Sequence, residues 1–477
     1  MNRPISTNPG GLSYLALIAS AACCLAACTV GPEFRGPPPA APVAVRAAAF
    51  NRASEDASSA QPSPASWWTE LADPELTRLI NAALADSPDV HAAEARLRQS
   101  RAALKQQKSN ALPKSSGSAS YINAELPKSA LDLGDLNLYN LGFDATWEVD
   151  LFGGTRRAVQ AASAESIAME ADLADARVQL AAEVAQAYVD LIDREARRDL
   201  ASQTAELEAR VLNLTEQRRA QEVASDLDVE RIRTQVENTR GSIIPLDEQV
   251  AESLDQLAVL TGREPGSLDA ELSAARPFPT LPATVAVGDP AAMLRRRPDI
   301  RAAEFRLASQ TAQIGEREAD WFPKLTLFGD LGFSATSPGG LVRSNNFLLL
   351  GIPYLQWNAL DFGRTRARVN QAKAGRDEAE AKYRSTGLDA LRDADGALSR
   401  YGHQRKYVVN LQAVEKSAAK ASSLTEMRYR AGTSSALDWL DAERTRYSAE
   451  QDRVAGEAEL IKDFVALQKS LGLGWQS

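Results

Sequence analysis

Between Tyr139 and Leu151 apolar and polar residues alternate without a break. Tyr139, Leu141, Phe143, Ala145, Trp147, Val149 and Leu151 fall on one side, and Asn140, Gly142, Asp144, Thr146, Glu148 and Asp150 on the other. A period of two predicts a β-strand with one oily and one wet face. Leu325–Phe333 alternates less cleanly and predicts another strand. A strand near 346–357 carries Pro353, and its Leu350-Gly351 pair matches Leu141-Gly142 one residue out of step with its surroundings; a β-bulge would reconcile both features. Elsewhere the period is helical. From Thr155 to about Arg218 there is neither Gly nor Pro, and Leu180, Val184, Ala187 and Leu191, then Leu207, Val211 and Leu214, keep heptad spacing. A second such stretch runs from Arg364 to about Arg430, and its return carries Leu440, Tyr447, Val454 and Ile461 seven apart. Each long stretch predicts a helix of roughly 95–100 Å, with turns at 218–228 and 428–438 closing two hairpins. Shorter helices are predicted at 88–112 and 298–322, stopped by Pro113 and Pro323. Order begins near Asp73-Pro74, an N-cap with proline at the first helical position.

The elements recur. Pro88-Asp89 returns as Pro298-Asp299, 210 positions on, and Trp147 as Trp357 at the same offset. Phe152, Gly153, Thr155 and Arg156 return as Phe362, Gly363, Thr365 and Arg366, and Ser225, Leu227 and Asp228 as Ser435, Leu437 and Asp438. One register held over about 140 residues predicts a tandem duplication into two similar halves rather than a solenoid. Each half reads as helix, two β segments, then a long helical hairpin.

Composition narrows the chemistry. The balance is acidic, 63 Asp plus Glu against 54 Lys plus Arg for a net charge of −9, which speaks against a nucleic-acid partner. His91 and His403 stand alone and the four methionines are scattered, so no metal site and no cofactor is expected. All three cysteines fall within the first 28 residues. The apolar run Tyr14–Cys28 is too short to span a membrane. It ends in Leu25-Ala26-Ala27-Cys28, which resembles the bacterial lipoprotein signal box. That resemblance implies loss of residues 1–27, a covalent lipid on Cys28 and, with Thr29 rather than aspartate next, delivery to the outer membrane. The alternative is an ordinary signal peptide that happens to contain cysteines. Residues 28–66 are rich in Pro, Ala and Ser and predict an extended lead lying over a surface. With no cysteine after residue 28, no Gly-rich phosphate loop and no serine elbow, catalysis finds no support.

The strands point to a membrane. Thirteen residues at ~3.3 Å each, tilted by roughly 45°, cover about 30 Å, the thickness of a bilayer's hydrocarbon core. Tyr139, Phe143 and Trp147 on the oily side suit lipid exposure. A half-buried soluble strand is the alternative for any one of them. Open edges are not tolerated in lipid, so four strands per chain require oligomerisation, and three copies make a twelve-stranded pore. A purely structural coiled-coil rod does not need amphipathic strands.

Five stretches, "LRRRPDIRAAE" at 294–304, "WEVDLFGG", "LDFGRTRARVNQAKA", "RYRAGTSSALDWLDAER" and "LQKSLGLGW", resemble the TolC-like outer-membrane factor family, in its NodT-type lipoprotein branch serving RND-type tripartite pumps. The resemblance runs from Cys28 to Trp475. It implies a mixed membrane protein: a homotrimer whose twelve-stranded β-barrel, four strands per chain, sits among outer-membrane lipid. A long α-helical barrel continues it across the periplasm. Small molecules would pass through from an inner-membrane RND-type transporter and a periplasmic adaptor. The chain then divides into a signal peptide 1–27, lead 28–66, first repeat 67–262, equatorial connector 263–295, second repeat 296–472 and tail 473–477. In the family, aspartates of the pattern L-D-x-L-D-A ring the closed periplasmic end; here these are Asp438 and Asp441. Tyr429 and Asp228 match a family latch, while Ser434 stands where some members have an arginine. The adaptor-docking tips correspond to Gln221 and Val223 and to Gly432 and Thr433, with Gln221 in place of a common glycine and the first tip one residue longer. Arg295, Arg296 and Arg297 read as a basic linker before a helix opened by Pro298, with Glu304 one turn in, paired with acidic helices. A protein-secretion duct and, more remotely, a structural periplasmic coiled-coil lipoprotein are the other functions compatible with the pattern.

Overall fold

The computed structural model describes residues 29–53, 57–58, 60, 66–125, 135–274 and 276–475. The predicted signal peptide and Cys28 lie outside them. In chain order the elements are β1 (Ala57–Ser58), α1 (Pro74–Asp86), α2 (Pro88–Asn110), β2 (Lys114–Glu125), β3 (Asp135–Val149), α3 (Gly154–Ala220) and α4 (Asp226–Leu260). There follow β4 (Val285–Ala286), α5 (Pro290–Arg296), α6 (Pro298–Glu318), β5 (Lys324–Ala335), β6 (Phe347–Gln356), α7 (Arg364–Arg430) and α8 (Ala436–Ser470). α3 and α7 each have 67 residues, α4 and α8 each 35, and each pair starts 210 positions apart. The Asp73 carboxylate caps α1, accepting from the Glu75 and Leu76 amides at 2.9 and 3.0 Å with Pro74 at the first position. α4 runs on through Pro245, which lacks the amide a helix interior ordinarily uses.

Two compact units make up the chain. Unit 1 comprises Met1–Pro38, Arg96–Glu170 and Ala302–Tyr383, and its centre is an antiparallel sheet in the order β2-β3-β5-β6. β3 begins at Asp135 and stops at Val149, short of the predicted Leu151. Asp150 leaves the strand because the first amides of α3 need acceptors; its carboxylate takes Thr155 N at 3.2 Å and Arg156 N at 2.9 Å. The predicted bulge at Pro353 is absent. Pairing runs unbroken from Lys324–Gln356 to Phe333–Phe347 and repeats, 210 residues on, the register that sets Lys114 opposite Thr146. Leu350-Gly351 is therefore not the counterpart of Leu141-Gly142, since a slip of one residue would turn every side chain to the other face. Within the chain β6 is an edge strand, paired on one side only, the position where a sheet admits proline. Equivalent indoles tie both hairpins down: Trp147 Nε1 donates to Ala111 O, and Trp357 Nε1 to Trp321 O, each at 3.0 Å.

Cross-strand pairs sort the sheet's two faces. One carries Leu141, Phe143 and Trp147 opposite Phe333, Leu331 and Leu327, and continues through Phe347, Leu349 and Leu355 of β6. The other carries Asn140, Asp144, Thr146 and Glu148 opposite Ser334, Asp330, Phe328 and Thr326. On that second face β6 departs from alternation, presenting Leu348, Leu350, Ile352 and Tyr354.

Unit 2 comprises Pro39–Ala95, Ala171–Arg301 and Arg384–Ser477. Its interior follows the helical stripes: Leu180, Val184, Ala187, Leu191, Val211, Leu440, Val454 and Ile461 are buried, whereas Leu214, near the end of α3, is 40% exposed. Trp67 sits edge-on to Trp68 and Phe464, with ring centres 5.7 and 6.3 Å away. In the predicted connector, Phe278 and Leu281 pack on Val189, Ala458 and Ile461. β4 pairs in parallel with β1 of the lead, and Ala40, Ala41 and Phe50 of the lead are buried as well.

The three arginines depart from the linker reading. Arg295 and Arg296 end α5, and Arg297 is its C-cap. Arg296 donates to Leu471 O at 3.1 and 2.9 Å; Arg297 donates to Ser470 O at 2.8 Å and to the Asp299 carboxylate at 3.0 and 2.6 Å. They close the C-terminal end of α8, where unsatisfied carbonyls and the helix dipole favour cations.

Candidate functional site: the hairpin tips

The two tips, both within unit 2, are built alike. Val223 N donates to Arg218 O and Glu222 N to Arg219 O, each at 2.9 Å; Thr433 N donates to Arg428 O at 2.9 Å and Gly432 N to Tyr429 O at 3.0 Å. This bond pair ends a helix only if one residue turns left-handed. Gly432 does so with φ 75°, and in the first tip Glu222 does so with φ 61°. The residue in the glycine position is therefore Glu222 and not Gln221, which matches Ala431. Both turns hold five residues, 221–225 and 431–435. A side chain in that conformation costs roughly 1–2 kcal/mol.

Each turn leads straight into a capping box. Ser225 Oγ accepts from Asp228 N at 3.1 Å, and the Asp228 carboxylate accepts from Ser225 Oγ at 2.8 Å and Ser225 N at 3.3 Å. Ser435 and Asp438 repeat the arrangement at 3.1 and 3.0 Å, and Ser434 Oγ adds a bond to Asp438 at 2.9 Å. The Ser435 amide first, then the Ser435 and Ser434 hydroxyls, hold the Asp438 carboxyl below the usual carboxylate range. Asp441, one turn on, is exposed and accepts from Arg444 at 2.8 Å.

Beneath the tips an apolar cluster joins all four long helices: Val211, Ile232, Val236, Tyr429, Trp439 and Leu440. The Tyr429 ring stacks on Trp439 at 5.4 Å and 24°, and the Arg218 guanidinium lies over it at 4.8 Å. The Tyr429 hydroxyl and the Trp439 indole nitrogen are buried without partners. No hydrogen bond joins Tyr429 to Asp228: the tyrosine is held by ring stacking and the aspartate by its own cap. Sequence comparison of the halves overlooks Arg218, because its repeat counterpart is Arg428 while its contact is with Tyr429. Gln221, Val223, Gly432 and Thr433 lie at the tips and are exposed, Val223 at 73%.

Residues 79–263 and 290–473 both match the family model described as outer membrane efflux protein. The chain belongs to that family. The family is one of outer-membrane efflux components, and membership accounts for helical hairpins and a sheet in one chain. Outer membrane protein OprJ of Pseudomonas aeruginosa is 30% identical over 456 residues, 94% of each chain. Nodulation protein T of Rhizobium leguminosarum bv. trifolii is 30% identical over 454 residues, 94% of this chain and 95% of its own. The solved structure of the outer-membrane channel OprN superposes with a TM-score of 0.87 at 35% identity, covering 94% of this chain and all of that one.

Proposed function

We propose that this chain is the outer-membrane channel of a tripartite efflux system, passing small molecules from an inner-membrane RND-type transporter and a periplasmic adaptor to the exterior. The observation that carries the reading is the sheet: four strands, an oily outer face and two edges paired on one side only. Such a sheet is stable in lipid only once closed. Three copies close it with twelve strands, and a lumen lined by Asp144, Asp330 and their neighbours passes polar solutes. The repeat at 210 residues supports a tandem duplication, with 263–295 and the tail forming a belt around the helices. Cys28 carries the lipid anchor once 1–27 is removed. Asp438 and Asp441 from three copies ring the periplasmic opening, and the exposed tips at Gln221, Val223, Gly432 and Thr433 meet the adaptor. The chain performs no catalysis and holds no resident cofactor beyond the lipid. Purified protein in a planar bilayer is expected to give single-channel steps and to run as a heat-labile trimer. A monomer without conductance overturns the reading.

A further inference from the structure

Thr29, Val30 and Gly31 are seated in a slot of unit 1 at the corner between β3 and α3. Arg157, in the first turn of α3 and 3% exposed, donates from Nε to Val30 O at 3.0 Å and from Nη2 to Gly31 O at 2.9 Å. Its Nη1 donates to Gln160 Oε1 at 2.9 Å. The Val30 amide donates to Phe152 O at 3.1 Å, and Thr29 packs over Gly153. α6 makes the opposite wall: a Cβ on Gly315 would stand 2.9 Å from both Arg157 Cγ and Val30 O, and one on Gly31 would strike the Gly315 Cα. Among the described residues Arg157 has no carboxylate partner. A buried guanidinium is costly unless its donors are met, and two of its three acceptors here are main-chain carbonyls of the lead.

The repeat supplies an internal control. At the equivalent corner 210 residues on, Arg157 is replaced by Ala367, and Gly315 corresponds to Lys105. There Gly363 has nothing within 4 Å of a Cβ, and Phe362 is 100% exposed. The slot exists at one of two like corners, the one that receives the lead.

We propose that this corner is a docking site for the chain's own N-terminal lead, with Arg157 as its positioning residue. Seating Thr29–Gly31 fixes the lead directly after Cys28, so a docked lead would guide an anchor carried there. Docking itself does not depend on a lipid; only its use as an anchor guide rests on the function proposed above. Lysine cannot replace Arg157, because a point ammonium does not bridge two adjacent carbonyls as a planar fork does.

The test is spin-label mobility at Glu33→Cys, an exposed lead position, in the full chain with Cys23, Cys24 and Cys28 changed to serine. The label is expected to be immobile in that parent and to gain motion in Arg157→Ala and in Gly315→Leu, whose side chain would crowd Val30 and Arg157 in the slot. Helix content by circular dichroism is expected to stay unchanged in both. A label already mobile in the parent, one that stays immobile in either variant, or loss of helix content in both variants overturns the proposal. Failure of the lipid reading is seen separately, as absence of palmitate from the unsubstituted chain.

Discussion

Tyr429 has a buried hydroxyl without a partner while its ring stacks on Trp439 and carries the Arg218 guanidinium over it. An unmet buried hydroxyl is unfavourable, so Tyr429→Phe is expected to raise stability by about 1 kcal/mol. Trp439→Ala empties the centre of the cluster and is expected to lower it by roughly 3–5 kcal/mol. Thermal unfolding followed by the helical signal measures both; a destabilising Tyr429→Phe would mean that the hydroxyl finds a partner in the assembled protein. Glu208 poses a related problem with charge. It is 2% exposed, accepts from Gln235 at 3.1 Å, and its other oxygen is unpaired. Desolvation by burial pushes its carboxyl up, above the ordinary value it regains on unfolding. The folded chain therefore holds a proton there that the unfolded chain releases, and stability falls as pH rises through the window between the two values. Glu208→Gln is expected to flatten that part of the pH dependence and raise the melting temperature near neutrality. An unchanged slope just above the ordinary carboxylate range would place the carboxyl in water.

In the proposed barrel β3 and β6 would meet lipid differently. On β3 the faces are separated, so arginine at Phe143 is expected to cost roughly 2–4 kcal/mol at mid-bilayer depth, and arginine at Thr146 little. β6 is apolar on both sides, and a hydropathy pattern cannot tell which one meets lipid. Register can: Leu349 lies opposite Leu331 on the oily face, and Leu350 lies opposite Asp330. Leu349→Arg is expected to reduce the yield of folded trimer, whereas Leu350→Arg gains a carboxylate neighbour and is tolerated. Equal losses at the two sites would remove the assignment of faces.

In the proposed trimer the tips would set the electrostatics of the periplasmic opening. Three copies would bring six carboxylates together from Asp438 and Asp441, but Arg444 sits 2.8 Å from Asp441. Asp438, its charged form favoured by the Ser435 amide and the Ser435 and Ser434 hydroxyls, is expected to dominate. Asp438→Ala is accordingly expected to weaken cation selectivity and block by trivalent cations more than Asp441→Ala does, as read from reversal potentials in bilayers. Identical effects would make the two rings equivalent. Asp438→Ala also removes one half of the capping box, so folded yield is to be measured alongside. On the proposed reading Cys28→Ser is expected to abolish palmitate labelling while leaving trimers in the outer membrane, since a closed sheet would insert without the lipid.

Much of this molecule is written in local pattern. Alternation over Tyr139–Val149, the heptad run from Leu180 to Leu191, the Asp73-Pro74 cap and the 210-residue register were all legible because they depend on neighbours a few residues apart or on identity at a fixed offset. Membership of the outer membrane efflux family followed from the same stretches. What needed the fold were contacts between distant segments. No local signal separates a slipped Leu-Gly match from a true one, and only the pairing of β5 with β6 did so. Glu222 at a left-handed turn, Arg296 and Arg297 on the end of α8, and Arg157 on the lead each depend on a partner contributed from elsewhere in the chain. The latch pair illustrates the limit: Tyr429 and Asp228 match a pattern in sequence, yet stacking on Trp439 and capping of Ser225 are what engage them, because a side chain bonds to whichever group packing brings within reach.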